Sequence, residues 1–120
     1  MSLLIVDDDV QILNILRQML EREGYDVVKA SNGKQGLRLY RENPADLIIT
    51  DIIMPEKDGI EIIIELKRDY PDVKIIAISG GGRIDSELYL DLAKKLGVLR
   101  TFTKPVERKQ LLNAVRNILQ

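Results

Sequence analysis

The sequence predicts an α/β fold in which a parallel sheet is covered by helices on both faces. Short apolar segments alternate five times with amphipathic segments of helical spacing, a pattern typical of consecutive strand–helix units. Two of the apolar segments, residues 47–49 and 75–78, are continuously apolar rather than alternating, as expected for central strands that helices bury on both faces. Because crossovers between parallel strands are right-handed, we expect a doubly wound sheet.

Five strands are predicted, at residues 3–6, 26–30, 46–50, 73–79 and 98–103. A helix is expected after each strand. The first helix carries five apolar residues at helical spacing, Ile12, Leu13, Leu16, Met19 and Leu20. Gly24 follows this helix at the position of a helix stop. Gly36 lies inside the second helix, where glycine costs about 1 kcal/mol relative to alanine, but the helix is still predicted.

The last two helices are predicted from the spacing of their apolar residues. In the fourth, Leu88, Leu92 and Leu96 recur at steps of four before Gly97, so these leucines are expected to form its buried face. The fifth helix carries Leu111, Leu112, Val115, Ile118 and Leu119. We expect one face of each helix to pack against the sheet.

The composition limits the chemistry that the chain can perform. Its 120 residues contain 18 Lys and Arg against 19 Asp and Glu, with neither cysteine nor histidine. This excludes disulfides, thiol catalysis, Ser-His-Asp triads and metal sites built on Cys or His. The net charge of -1 is not the excess of positive charge that is typical of nucleic-acid-binding domains. Direct DNA binding by this domain is therefore not expected. Carboxylate, hydroxyl and lysine groups remain.

Length and hydropathy give expectations for organisation and location. A chain of 120 residues fits one domain over residues 1–120. No apolar run approaches the roughly 20 residues that span a bilayer, and the first residues do not have the pattern of a secretory signal. We therefore expect a cytoplasmic protein without a membrane segment.

Polar side chains follow four of the five predicted strands. These are Asp7, Asp8 and Asp9 after the first strand, Asp51 after the third, Ser79 at the end of the fourth and Lys104 after the fifth. Taken singly, each has an ordinary interpretation as a helix cap, a turn residue or a surface group. The carboxyl ends of parallel strands meet at one edge of the sheet, however, and ligands bind there. Carboxylates crowded at that edge need a compensating cation.

The predicted cluster has the composition of a phosphoryl-transfer site. Oxygen ligands without His or Cys suit Mg²⁺. Lys104 adds a positive charge and Ser79 a hydrogen-bond donor. A metal, a lysine and a hydroxyl would together hold a phosphoryl group, with a carboxylate as the nucleophile.

The whole chain resembles the receiver domain of two-component response regulators. The matching features are Val6-Asp7-Asp8, Asp51 followed by Met54-Pro55 and Asp58-Gly59, then Ser79, then Lys104-Pro105. They occur in the order and approximate spacing of that family, and the set is highly specific although each feature alone is common. The resemblance implies a flavodoxin-like, five-stranded parallel sheet of strand order 2-1-3-4-5.

The resemblance also assigns roles to the acidic residues. It implies that Asp51 is the phosphoacceptor and that Asp8 is a direct Mg²⁺ ligand. Asp7 would act on the metal mainly through water, and Asp51 and the main-chain carbonyl of Ile53 would be further ligands. Asp9 is expected to be only a helix cap.

The remaining site residues follow from the same resemblance, with one departure. Ser79 would bond one phosphoryl oxygen, Lys104 would pair with another, and the bond before Pro105 would be cis. Receivers usually carry an aromatic switch residue three positions before the lysine. Here that position is Thr101, and Phe102 is on the opposite face of the strand.

Two further positions predict slow loss of the phosphoryl group. Ile53 stands two residues after Asp51, and Gly81 stands two residues after Ser79. Some fast-hydrolysing relatives carry polar groups at these positions. Neither side chain here can orient an attacking water, so a long-lived phosphorylated form is expected.

The resemblance implies a signalling domain that catalyses only its own phosphorylation and dephosphorylation. Because the chain has no histidine, the phosphoryl donor would be a separate sensor histidine kinase or histidine phosphotransfer protein. A conformational change would then act on an output domain or a partner protein. The cognate kinase, the output and homodimer formation are left open.

Three other functions remain as alternatives. The first is a degenerate receiver that serves only as an interaction module, although the intact acidic set disfavours it. The second is a flavodoxin-type electron carrier, whose FMN phosphate would be repelled by the acidic residues 7–9. The third is an aspartyl phosphatase, which would need a carboxylate two residues after Asp51.

Overall fold

The computed structural model describes residues 1–52, 59–80 and 86–120. The predictions made for Ile53 and Gly81, and the motif residues 54–58, lie outside the described residues. Within the described ranges, none of the helices is long and apolar enough to cross a membrane.

The five predicted strand–helix units are confirmed. The elements are β1 Ser2–Val6, α1 Val10–Arg22, β2 Asp26–Ala30, α2 Gly33–Glu42, β3 Leu47–Asp51, α3 Gly59–Asp69, β4 Ile75–Ser79, α4 Ser86–Lys95, β5 Arg100–Thr103 and α5 Arg108–Leu119. All strand pairs are parallel, and the order across the sheet is β2-β1-β3-β4-β5. The predicted strand order is therefore confirmed, and the predicted strand ends differ from the observed ones by at most two residues.

The sheet separates two apolar clusters, so both of its faces are covered. Apolar residues of α1 and α5 pack on one face, together with Leu3, Ile5 and Ile49 of the central strands. Apolar residues of α2, α3 and α4 pack on the other face, against Leu4 and Ile48. Every residue of β3 and β4 is buried, which accounts for their continuously apolar sequences.

The buried face predicted for α4 is wrong. Leu88 is 70% exposed and Leu92 is 41% exposed, whereas Leu90 and Ala93 are buried. The helix packs against β4 and β5, and the small side chain of Ala93, which is fully buried, lets it come close to the sheet. Leu96 packs only at the margin of the core.

The structure explains why glycine stands at positions 24 and 36. Gly24 has φ +93 directly after the C-cap of α1, and glycine adopts this left-handed conformation without a steric cost. A Cβ at Gly36 would lie 2.9 Å from Cγ2 of Val6. Because Gly36 has no side chain, α2 can pack closely against β1 despite the lower helix propensity.

Candidate functional site

Four adjacent strands bring the predicted site residues to one edge of the sheet. Asp7 follows β1, Asp51 ends β3, Ser79 ends β4 and Lys104 follows β5. These strands are neighbours in the order β1-β3-β4-β5. The main-chain N–H of Lys104 donates to the carbonyl oxygen of Ser79 at 2.8 Å, so the end of β5 is tied directly to the end of β4.

Lys104 joins the two buried carboxylates of the site. Its Nζ lies 2.8 Å from Oδ2 of Asp7 and 2.8 Å from Oδ2 of Asp51. Both aspartate side chains are almost completely buried, and that of Lys104 is 19% exposed. Charge-assisted hydrogen bonds of this length in a shielded site are among the stronger polar contacts in proteins.

A third carboxylate completes a group that could hold a metal ion. Asp7, Asp8 and Asp51 each present a carboxylate oxygen within 4.8 Å of the other two. Asp8 is exposed, whereas Asp7 and Asp51 are buried, so the group is open to solvent on one side. The group offers three hard oxygen donors, a set that fits Mg²⁺.

The ionisation of Asp7 is shifted by its surroundings. Burial raises its pKa and outweighs the lowering by hydrogen bonds from Lys104 and from the main-chain N–H of Asp9, while the negative charge of Asp51 raises the pKa further. Burial by itself lowers the pKa of Lys104, but its hydrogen bonds to Asp51 and Asp7 and their charges outweigh burial, so this pKa is raised. Lys104 therefore stays protonated at neutral pH.

The raised pKa of Asp7 predicts that this residue reduces stability in the absence of metal. In its ionised form the carboxylate is disfavoured in the folded state, so stability falls as the pH rises through its folded pKa. We expect Asp7→Asn to melt at a higher temperature than wild type in EDTA at neutral pH. The difference should shrink as the pH is lowered toward the usual carboxylate range. Melting temperatures of both proteins measured over a range of pH test this prediction. A lower melting temperature of Asp7→Asn than of wild type at every pH would contradict it.

Asp9 has the capping role that was predicted for it. Its Oδ1 accepts hydrogen bonds from the main-chain N–H of Gln11 at 2.9 Å and of Ile12 at 3.4 Å. The main-chain N–H of Asp9 also donates to Oδ1 of Asp7 at 2.9 Å. The side chain of Asp9 thus starts α1, and its backbone holds the adjacent carboxylate.

Ser79 presents a buried hydroxyl at the same edge. Its side chain is 0% exposed, and its Oγ has no hydrogen-bond partner among the described residues. A buried hydroxyl without a partner is costly and calls for an explanation. A ligand oxygen bound at this edge would provide one.

The residues around Lys104 agree with the resemblance at Pro105 and differ from it at Thr101. The Lys104-Pro105 peptide bond is cis, as the resemblance implies. Thr101 is half-buried opposite Ala77 of β4. Phe102 is buried with the α1 and α5 cluster and therefore does not occupy the side of the sheet on which Thr101 lies.

Sequence reasoning missed one buried polar residue beside Asp51. Thr50 is 0% exposed, and its Oγ1 donates to the main-chain carbonyl oxygen of Asp51 at 2.9 Å. The available signal was a hydroxyl residue at the end of the otherwise continuously apolar segment 47–49. Such a residue in a fully buried strand needs a local hydrogen-bond partner.

The strand order of the sheet and the acidic group at its edge are those of a domain used in phosphorelay signalling. Residues 3–116 match the family model of the response regulator receiver domain. The chain belongs to this family, the receiver domains of two-component response regulators.

The chain matches relatives of very different length. The chain is 36% identical over 118 residues to the transcriptional regulatory protein GlrR of Escherichia coli, covering 98% of this chain and 26% of GlrR. It is 32% identical to sporulation initiation phosphotransferase F of Bacillus subtilis, covering 98% of this chain and 93% of that protein. The chain thus spans about a quarter of the first relative and nearly all of the second.

Solved structures support the same fold. A receiver domain protein from Clostridium thermocellum superposes with a TM-score of 0.88 at 34% identity, covering 98% of this chain and 93% of that one. The chemotaxis protein CheY4 of Vibrio cholerae superposes with a TM-score of 0.87 at 25% identity, covering 98% of each chain.

Proposed function

We propose that this receiver accepts a phosphoryl group on Asp51 from a phosphohistidine of another protein, with Mg²⁺ bound at the acidic group. The observation that carries the proposal is the contact of Lys104 with both Asp51 and Asp7, 2.8 Å from each. A buried nucleophilic carboxylate, a fixed cation and a second carboxylate for a metal are the parts that phosphoryl transfer requires.

The roles of the residues follow from their charges and positions. A carboxylate oxygen of Asp51 forms a bond to phosphorus while the bond from phosphorus to the donor nitrogen breaks, and the departing nitrogen takes up a proton. Lys104 then pairs with a phosphoryl oxygen, and the buried hydroxyl of Ser79 donates to another. Asp8 would hold Mg²⁺ directly and Asp7 would hold it mainly through water, and the bound ion would supply positive charge for the phosphoryl oxygens. The Ile53 carbonyl remains a ligand proposed from sequence alone.

The partners and setting are proposed on chemical grounds. The chain has no histidine, so a sensor histidine kinase or a histidine phosphotransfer protein must supply the phosphohistidine. The names of the relatives, a phosphotransferase and a transcriptional regulatory protein, support two kinds of output, through a partner protein or through an attached domain. We propose a cytoplasmic setting, a single domain over residues 1–120, and no reaction beyond its own phosphorylation and dephosphorylation.

Phosphorylation by a small phosphodonor tests the proposal. In the presence of Mg²⁺, intact-mass spectrometry of wild type should detect the mass of one added phosphoryl group, and EDTA should prevent its addition. A protein that stays unmodified with Mg²⁺ and excess donor would instead be a degenerate receiver that acts as an interaction module.

A long lifetime of the phosphorylated form is a further prediction. Ile53 has no polar group to orient a water for attack on the phosphoryl group. Because general-base assistance supplies about 10²–10⁴-fold and orientation alone supplies less, Ile53→Asn is expected to shorten the lifetime. The loss of phosphoprotein mass over time measures this. An unchanged or longer lifetime in Ile53→Asn would mean that water positioning does not limit hydrolysis, and Ile53→Leu serves as the apolar control.

A further inference from the structure

The hydroxyl of Thr50 contacts the backbone of the proposed phosphoacceptor. Thr50 is fully buried in β3, and its Oγ1 donates to the carbonyl oxygen of Asp51 at 2.9 Å. This carbonyl belongs to the last residue of β3, where the sheet pairing of the strand ends. The hydroxyl therefore provides a donor at the position where the regular ladder stops.

Main-chain groups of β4 and α3 also hold the backbone that follows Asp51. The main-chain N–H of Ile52 donates to the carbonyl oxygen of Ile78 at 2.9 Å, and that of Gly59 donates to the carbonyl oxygen of Ile52 at 2.9 Å. A Cβ at Gly59 would collide with the Asp51 carbonyl oxygen. The backbone beside the acidic group is thus fixed by contacts from β3, β4 and the start of α3.

We propose that Thr50 is a positioning residue that holds Asp51 in register with Lys104 and the metal group. The proposal rests on the function proposed above for Asp51. The ring closed by the Thr50 hydrogen bond spans the φ and ψ torsions of Asp51. These torsions together set the direction of the Asp51 side chain, whose Oδ2 lies 2.8 Å from Nζ of Lys104. Without the hydroxyl, the Asp51 carbonyl loses this restraint, and the backbone torsions of Asp51 are held less closely.

Variants at Thr50 can separate the hydrogen bond from packing. Thr50→Val keeps the shape and removes the hydroxyl, whereas Thr50→Ser keeps the hydroxyl and removes a methyl group. Thr50→Ala and Thr50→Ser differ only by the hydroxyl and provide a second pair if Thr50→Val does not fold. Ile48→Val is the packing control, because Ile48 is fully buried on the same face of β3.

Thr50→Val is expected to slow phosphoryl uptake at saturating Mg²⁺ by about tenfold, since small misplacements of a reacting group cost up to about 10²-fold. Thr50→Ser and Ile48→Val should stay within about twofold of wild type, even where their melting temperatures fall. Calorimetric Mg²⁺ affinity should fall in Thr50→Val and Thr50→Ala but not in Thr50→Ser. Equal rates in Thr50→Val and wild type, or equal losses in Thr50→Ser and Thr50→Ala, would overturn the proposal.

A spectroscopic readout keeps this proposal distinct from the proposed function. The carbonyl ¹³C resonance of Asp51 should shift in Thr50→Ala and remain near its wild-type position in Thr50→Ser, with neither metal nor phosphodonor present. If wild type takes up no phosphoryl group, the proposed function fails while this shift still reports on the hydrogen bond. If the resonance is the same in Thr50→Ala and Thr50→Ser, the hydroxyl does not hold the Asp51 carbonyl and the positioning role is wrong.

Discussion

Asp51→Asn is expected to take up no phosphoryl group under conditions in which wild type gains one. The asparagine amide has nearly the shape of the aspartate but no nucleophilic carboxylate oxygen. Asp51 is 5% exposed, so no other group can easily take its place without rearrangement of the site. Intact-mass spectrometry with a small phosphodonor should be performed at high Mg²⁺, because the substitution also removes one carboxylate from the group formed with Asp7 and Asp8.

Asp9→Asn is the matched control for this experiment. It makes the same change in charge two residues from Asp7, and asparagine retains the helix-capping ability that Asp9 uses at α1. We expect its phosphoryl uptake to equal that of wild type. Equal labelling of Asp51→Asn would instead place the phosphoacceptor elsewhere, and peptide mapping would identify it.

The fold could be predicted because burial leaves a strong pattern in the sequence. Continuously apolar β3 and β4 have both faces covered, and the five repeats of strand and helix permit few topologies. The composition of the site could be predicted for a related reason. Parallel strands direct their carboxyl ends to one edge, so Asp51, Ser79 and Lys104 had to come close once the strands were assigned correctly.

The orientation of α4 could not be predicted from spacing. The helix has apolar residues on more than one face, and both the Leu88–Leu92 stripe and the Leu90–Ala93 stripe have helical periodicity. The contacts with β4 and β5 decide between them by favouring the small, fully buried Ala93. A choice of this kind depends on the distance between helix and sheet, and that distance is a tertiary property.

The hydrogen bonds of individual side chains could not be predicted from spacing either. Spacing identifies Asp7 and Asp51 as neighbours but does not reveal that one lysine bridges both. It also does not show that the Thr50 hydroxyl reaches the Asp51 carbonyl. The lysine contacts depend on where the strands end relative to one another. The Thr50 contact depends on the torsions of two consecutive residues in one strand, and residue type alone sets neither.

Asp8→Ala is expected to weaken Mg²⁺ binding by about tenfold or more, since even indirect partners of a metal cost about 10–100-fold when they are removed. Asp8 is the exposed member of the carboxylate group, whereas Lys104 already pairs with Asp7 and Asp51. Asp8 is thus the carboxylate that can bind the ion without giving up an ion pair to Lys104. Calorimetric titration of the unphosphorylated protein with Mg²⁺ measures the loss.

Asp9→Ala is the control that separates the loss of a Mg²⁺ ligand from the loss of one negative charge near the site. It removes the same charge one residue further along the chain, so any general attraction of the acidic segment for cations falls by a similar amount in both variants. Its loss of the α1 cap costs about 1 kcal/mol of stability but removes no member of the group formed by Asp7, Asp8 and Asp51. We expect only a small change in Mg²⁺ affinity, and a larger loss in Asp9→Ala than in Asp8→Ala would show that Asp9 and not Asp8 binds the ion.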